Sequence, residues 1–401
     1  MKRTKFSKNF KLSISHTTFS SFTSSMMLVL FPWIILSLTN SALLTGLVLS
    51  LSDAPLAVSF IVAYYVARLK KKKPLVLGGT FLRAVIIFSI FLVFLSGNKF
   101  WELLAIFIAF FIDAWIGDLT GQVHGFWTKE FLNEDQYQRG ISIATMLNMV
   151  VTLISYIAAG IVIYIVVYNG FLVLMVGYII ATIPIIFIKP KSDESQDTEL
   201  HSFRDGIFFL WNTKPLRYSL IFSMLTALTF GGFLMVIEVL VRFKYGGSPL
   251  ILTLFLVGGM IGGVVGSIIG GKIKGNARSL LFIMALAHIP ILIFIPFSPS
   301  YIFLIPDLFL LMILNQVENV LLGTIDYKVT PQDYMLQVRG VQETLGLFPA
   351  ALSALVMGTI IQFISLKFVF YTMAILSISI VIEVWIARDL GDIKISSSGG
   401  D

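Results

Sequence analysis

The chain has 401 residues, 57% of them hydrophobic and 13% charged, with a formal net charge of +7 and a mean hydropathy of +0.91. A soluble domain is about a quarter charged and needs polar cover on its surface, while disorder needs low hydrophobicity and high charge; the composition excludes both. The chain has no cysteine, so disulfides, thiolate nucleophiles and cysteine-based metal sites are excluded too.

A membrane-crossing helix needs about 20 mostly apolar residues. The sequence predicts twelve spans, over roughly 17–38, 42–66, 74–96, 101–124, 141–168, 171–188, 217–241, 250–272, 278–297, 301–325, 341–364 and 367–387. The first holds Pro32 and Trp33 and lacks the small-residue site of a cleavable signal. Thr39-Asn40-Ser41 and Tyr168-Asn169-Gly170 are short turns that set consecutive spans antiparallel. With the N-terminus inside, the inner segments carry 24 Lys and Arg and the outer loops 4, with Arg83 alone inside a span. That asymmetry follows the positive-inside rule and predicts an even number of spans with both termini cytoplasmic. In such a chain the basic excess orients the protein in the membrane rather than binding nucleic acid.

The longest polar stretch, Lys189 to Leu200, precedes an amphipathic run from Phe203 to Leu210 that suits the membrane interface. It divides the chain into a six-span bundle over 1–188, a cytoplasmic linker over 189–216, and a second six-span bundle with a short tail over 217–401. The halves share features about 200 residues apart. Arg139-Gly140 opens span 5 and Arg339-Gly340 opens span 11, and basic loops follow spans 2 and 8. Two coincidences in register indicate duplication. A duplicated six-span unit is the plan of one large class of secondary transporters, with the site at the interface between halves.

Local pieces along nearly the whole chain carry a resemblance. They are Pro32-Trp33-x-x-Leu36-x-x-Thr39-x-Ser41 with Gly46-Leu47 and Pro55, then Phe203-Arg204-Asp205-Gly206 with Leu210-Trp211 and Pro215-Leu216-Arg217, and the two Arg-Gly openings. Their order and spacing resemble the major facilitator superfamily. More narrowly, they look like its proton-driven exporter branch, which includes macrolide-efflux and enterobactin-export proteins. The resemblance implies an all-α integral membrane protein with 12 transmembrane helices in two pseudo-symmetric six-helix bundles. It further implies export of a small amphipathic compound in exchange for protons. The family's inner loop reads Gly-x-x-x-Asp-Arg-x-Gly-Arg-Arg; here Ala63, Ala67, Arg68, Lys70, Lys71 and Lys72 keep the basic character and lose both glycines and the aspartate. Arg68 and Arg339 are therefore gate candidates, with Asp333 as a substitute for the missing acid.

An ionisable group inside a span costs about 2.5–3.5 kcal/mol or more and so faces a cavity or a partner. Asp53, Asp113, Asp118 and Glu318 are the proton-coupling candidates. Asp113 and Asp118 lie five residues apart, about 140° around a helix, and so do not share a face. Arg83 needs an acidic partner from span 2 or 4, which would make Asp53 or Asp113 structural. Trp33, Trp115, Asn315, Asn319 and Phe348 are candidates for lining a substrate cavity, since aromatic cavities suit amphipathic or cationic organic compounds. Glu238 with Arg242, and Glu383 with Arg388, read as ion pairs at span ends. Gly258, Gly262, Gly266 and Gly270 set small residues on one side of span 8 for close helix packing.

No Walker A, GxSxG or HExxH pattern and no Cys/His cluster is present, so the chain reads as no enzyme, with no cofactor and no metal. The expected partners are a small-molecule substrate, protons or another coupling cation, and membrane lipids. The chain is expected to act as a monomer in the cell membrane. The rival readings are uptake of a small metabolite, flipping of a lipid or lysolipid, and a non-transporting receptor or scaffold.

Overall fold

Residues 6–59, 62, 66, 69–132, 137–166, 169–190, 203–331 and 334–395 are described by a computed structural model of the chain. The helices are α1 (Lys8–Thr39), α2 (Ala42–Asp53), α3 (Lys72–Phe94), α4 (Lys99–Phe131), α5 (Tyr137–Val166), α6 (Gly170–Phe187), α7 (Phe203–Asn212) and α8 (Lys214–Phe230). They continue as α9 (Phe233–Lys244), α10 (Pro249–Lys272), α11 (Ala277–Phe294), α12 (Tyr301–Val329), α13 (Met335–Val341), α14 (Leu347–Phe363) and α15 (Leu366–Ile386). Two-residue strands, β1 (Gly275–Asn276) and β2 (Lys394–Ile395), pair antiparallel.

Among the described residues, 11 helices are long and apolar enough to cross a membrane, counting α8 with α9 and α13 with α14, and α2 is a shorter apolar helix. Twelve spans follow. Lipid has no polar partners to offer, so each span must satisfy its own backbone, and helices do so. The turn predicted at residues 39–41 forms as expected: Asn40 takes the left-handed conformation at φ 50° to end α1, and Ser41 accepts from Leu44 N to start α2.

Three spans differ from the simple pattern. Span 2 passes from α2 into a 3-10 turn over Ala54–Val58, because Pro55 has no N–H to donate to the carbonyl four residues back. Span 7 is broken at Gly231-Gly232 between α8 and α9; the Gly232 N–H that leaves the ladder donates instead to Ser353 Oγ of α14 at 3.0 Å. Span 11 carries a π-helical turn over Gln342–Gly346.

The chain divides into two compact units. Unit 1 is Met1–Asn40 with Val58–Thr198, and unit 2 is Ser41–Ala57 with Glu199–Asp401. Within unit 1, α1 packs on α4, α5 and α6, and α3 packs on α4 and α6. Within unit 2, α8 packs on α12, α14 and α15, and α11 packs on α12 and α15. The packing of α8, α11, α12, α14 and α15 on one another repeats that of α1, α3, α4, α5 and α6. α2 belongs to unit 2 rather than to the half in which the sequence places it. A Cβ on Gly358 would stand 2.6 Å from the Ala42 carbonyl oxygen, so α2 and α14 touch backbone to backbone, which a larger residue forbids. The glycine face of α10 packs on α12 as expected: Cβ atoms on Gly266 and Gly270 would lie 2.6 Å from Ile313 O and 2.9 Å from Val320 Cβ.

Candidate functional site

Polar residues recur along α1 at Ser13, His16, Ser20 and Ser24, in steps of three and four that place them on one face. α4 offers Asp113, Gly117, Thr120 and His124 at the same steps, and α3 offers Thr80 and Arg83 one turn apart. These faces meet inside unit 1 as one buried polar network.

Its centre is Arg83, which is 4% exposed. Its Nε donates to Asp113 Oδ1 at 2.6 Å and its Nη2 to Asp113 Oδ2 at 2.7 Å, a bidentate pair. Nη1 donates to Ser20 Oγ and Nη2 to Ser24 Oγ, each at 3.0 Å. Tyr178 of α6 donates its hydroxyl to Asp113 Oδ1 at 2.7 Å and holds its ring 4.5 Å from the guanidinium carbon. Asp113 is thus the partner that Arg83 requires, and both of its oxygens are engaged. Asp118 faces away from this network, as its angular offset predicts. It accepts from Ser59 Oγ at 2.7 Å and Gln122 Nε2 at 3.4 Å, and its Oδ2 is buried without a hydrogen bond.

Next to Arg83 lies a cavity of about 250 Å³. Hydroxyls of α1, Thr120 of α4, and Asn148 and Thr152 of α5 line it, with the imidazoles of His16 and His124. The two rings stack at 4.6 Å. His16 Nε2 bonds Thr80 Oγ1 at 3.0 Å and His124 Nδ1 bonds Ser13 Oγ at 2.7 Å. The remaining nitrogens, His16 Nδ1 and His124 Nε2, are buried with no hydrogen-bond partner among the described residues. Neither histidine was among the sequence candidates: His16 lies one residue before the predicted start of span 1, and His124 is the last residue of the predicted span 4, where a polar side chain reads as a span end. The periodic polar face of α1, followed back to Ser13, is the signal that reaches His16.

Unit 2 buries acids instead. Glu318 of α12 and His288 of α11 are 2% and 1% exposed and approach to 3.4 Å at Oε1 and Nδ1, short of hydrogen-bond geometry; Phe230 packs against the imidazole at 4.9 Å. Glu238 of α9 is fully buried, and neither of its oxygens nor those of Glu383 finds a hydrogen-bond partner among the described residues. The pairs expected with Arg242 and Arg388 therefore do not form. In the first, Glu238 turns into the packed face of α9 while the Arg242 side chain lies against Gly247. Asp326, one residue past the predicted end of span 10, is a further, partly buried acid that sequence reasoning missed; its Oδ1 has no hydrogen-bond partner among the described residues.

The other candidates are dispersed. Asp53 ends α2, partly buried, where the helix tightens into the 3-10 turn. Trp33 is buried in the packed part of α1, and Trp115 packs beside the apolar cluster around Trp127; neither lines the 250 Å³ cavity. Asn319 Nδ2 donates to Asn315 Oδ1 at 3.2 Å, on one face of α12. Phe348 is 39% exposed on α14. Arg339 is exposed and donates to Glu343 Oε1 at 3.2 Å. Arg68 and Asp333 lie outside the described residues.

The sequence pattern of the Major Facilitator Superfamily matches residues 15–354. No curated protein matches the sequence. Two solved structures are similar in fold at 12% identity. A point mutant of the nucleoside transporter NupG gives a TM-score of 0.75, covering 94% of this chain and 100% of that one. NupG itself gives 0.70, covering 94% and 99%. With twelve helical spans in two similarly packed units, the chain belongs to the major facilitator superfamily and is a multi-pass membrane transporter.

Proposed function

We propose that the chain exports a small amphipathic organic compound by alternating access, in exchange for protons that enter through the buried acids of its spans. The observation that supports proton coupling is the set of acids in unit 2 without a compensating cation: Glu238 and Glu383 with no hydrogen-bond partner among the described residues, and Glu318 beside an imidazole. A carboxylate in an apolar span carries a large solvation cost that a bound proton removes, so such groups bind and release protons as their surroundings open and close. On this reading Glu318 and Glu238 carry protons and Asp53 and Asp118 serve the same cycle. Asp113 holds Arg83. Trp33, Trp115, Asn315, Asn319 and Phe348 contact the compound, and Arg68, Asp333 and Arg339 act at the gate. The export direction and the amphipathic substrate rest on the resemblance of the span 1–2 and span 7 segments to the exporter branch. The protein works as a monomer in the cell membrane with both termini cytoplasmic, as the distribution of its basic residues supports.

The test is flux in proteoliposomes holding a pH dye under an imposed proton gradient. The expected result is that amphipathic organic compounds release protons down the gradient, and that Glu318→Gln and Glu238→Gln uncouple the two flows. Compounds that move with no proton signal, or an unchanged signal in both variants, would overturn proton exchange. Accumulation on the side toward which protons move would overturn export in favour of uptake.

A further inference from the structure

Lipid tails cover the exposed apolar side chains of the spans, but α7 is not a span. It has 10 residues, half of what a crossing takes. Only Thr213 separates its end at Asn212 from the start of α8 at Lys214, so it lies at the membrane surface where span 7 begins. One side of α7 is packed: Gly206 and Leu210 are buried, Phe209 stacks on Tyr334 at 4.4 Å, and the helix rests on α8 and α13. The other side carries Arg204, Phe208 and Trp211, all exposed. Steps of four and three set these residues within about 60° of one another around the helix. Phe208 is 72% and Trp211 54% exposed, so unit 2 leaves both rings uncovered.

Beside this face stands Arg217, in the first turn of α8. Its guanidinium carbon lies 5.9 Å from the centre of the Trp211 ring and 5.6 Å from that of Tyr218. The side chain is half-buried and still reached by solvent, and it has no hydrogen-bond or ion-pair partner among the described residues. A guanidinium steadied by aromatic rings keeps its fork of N–H donors for an oxyanion, and phosphate is the oxyanion that a membrane surface supplies. The neighbouring charges agree. Arg204, Lys214 and Arg217 stand against Asp205 and Asp389, and Lys214 already pairs with Asp389 at 3.3 Å. The net positive corner favours a headgroup that brings no cation of its own.

We infer that the corner between α7 and the first turn of α8 binds the headgroup of one anionic phospholipid, with Arg217 on the phosphate and Phe208 and Trp211 against the glycerol and the first acyl carbons. Tryptophan sits at this depth in membrane proteins because its ring is apolar and its N–H polar. An amphipathic helix that merely lies in the interface takes any lipid; the unpaired guanidinium is what makes this one selective. The site is independent of what the chain transports and of what drives it.

The test needs no gradient and so stands apart from the proton reading. The full-length protein is placed in phosphatidylcholine vesicles, and a small fraction of phosphatidylglycerol or phosphatidylcholine brominated in its acyl chains is added. Bromine quenches a nearby tryptophan, and the difference between wild type and Trp211→Phe reports Trp211 alone. Brominated phosphatidylglycerol should quench Trp211 half-maximally at about fivefold lower mole fraction than brominated phosphatidylcholine, the equivalent of about 1 kcal/mol for one basic residue at a membrane surface. Arg217→Gln should bring the two lipids level. Equal quenching in the wild type overturns the inference and leaves a plain interfacial helix. A preference kept in Arg217→Gln places the headgroup elsewhere and also overturns it. Loss of the preference on adding inorganic phosphate, against chloride at matched ionic strength, overturns it in favour of a soluble anion. Should the variants fail to fold, a photoreactive phosphatidylglycerol in wild-type vesicles decides. It cross-links within residues 203–217 more than photoreactive phosphatidylcholine if the inference holds, and no more than it if the inference fails.

Discussion

The two units share a helix-packing scheme but treat buried charge in opposite ways. In unit 1 the buried arginine has its acid: Arg83 and Asp113 pair bidentately, Ser20 and Ser24 accept from the guanidinium, and Tyr178 donates to the carboxylate. The two buried histidines there are stacked and each has one nitrogen engaged. In unit 2 Glu238 and Glu383 have no hydrogen-bond partner among the described residues, and Glu318 Oε1 lies 3.4 Å from the His288 imidazole. On two similarly packed scaffolds the sequence gives the buried arginine of unit 1 its acid, although one nitrogen of each histidine and Asp118 Oδ2 stay without a hydrogen-bond partner among the described residues, and it leaves unit 2 with buried acids that have no such base. A satisfied network rigidifies, whereas an unsatisfied one is a candidate for change during the cycle.

The largest expected effect breaks the charge pair of unit 1. Asp113→Ala leaves the Arg83 guanidinium buried without its counter-charge, which costs about 3–5 kcal/mol. Fluorescence-detected size exclusion and thermal unfolding should show loss of folded protein or a large fall in midpoint. The paired change Arg83→Met with Asp113→Leu should recover much of that loss, since no charge is then stranded. Equal damage from the single and paired changes would mean that the network contributes something beyond charge compensation.

The same operation on unit 2 should go the other way. Glu238→Met replaces a fully buried, unpartnered carboxyl by an apolar side chain, so it should raise stability by about 1–3 kcal/mol. Proton-coupled flux should fall in the same variant. A destabilised Glu238→Met would reveal a partner for Glu238 in another state of the transporter and would erase the contrast between the units.

How much of this was legible in the sequence follows from what each signal depends on. Twelve spans, the break into halves and the α10 glycine face all rest on composition and short-range spacing, which the sequence displays directly. The partner of Arg83 was narrowed to an acid on span 2 or 4, because burial demands one, but choosing Asp113 over Asp53 needs the facing of α3 and α4. His16 stayed hidden because hydropathy places a span's edge where polar residues begin, and His124, at the very end of the predicted span 4, shows its pairing only through the facing of α1 and α4. α1 carries its helix on through Ser13 and His16 because those groups are buried against α3 and α4 instead of meeting water. The placement of α2 in unit 2 was equally invisible: it depends on backbone contact with α14 through Gly46 and Gly358, which no local pattern announces. Glu238 and Arg242 show the reverse error. Their spacing of four permits an ion pair, yet the carboxyl lies on the buried face of α9.

A smaller effect probes how unit 2 tolerates the break in span 7. Ser353 Oγ is the acceptor for the Gly232 N–H at 3.0 Å, and Ser353 is fully buried. Ser353→Ala strands that donor in an apolar setting and should cost about 1–3 kcal/mol in thermal unfolding. Ser353→Thr keeps an oxygen there and tests whether the acceptor or the shape matters.

The smallest expected effect separates stability from transport. Arg339 and Glu343 form an exposed pair four residues apart at the head of span 11, with side chains 64% and 60% exposed. Exposed pairs of this kind are worth about 0.3–0.5 kcal/mol, so Arg339→Ala should leave the unfolding midpoint almost unmoved, in contrast to the other Arg–acid pair at Arg83. If Arg339 serves the gate, flux in proteoliposomes should nevertheless fall severalfold, because a gate contact is made in one state of the cycle and contributes little to the stability of the others. An unchanged flux alongside an unchanged midpoint would remove Arg339 from the gate and leave it a solvated surface pair. The contrast between the two arginines would then be one of burial alone.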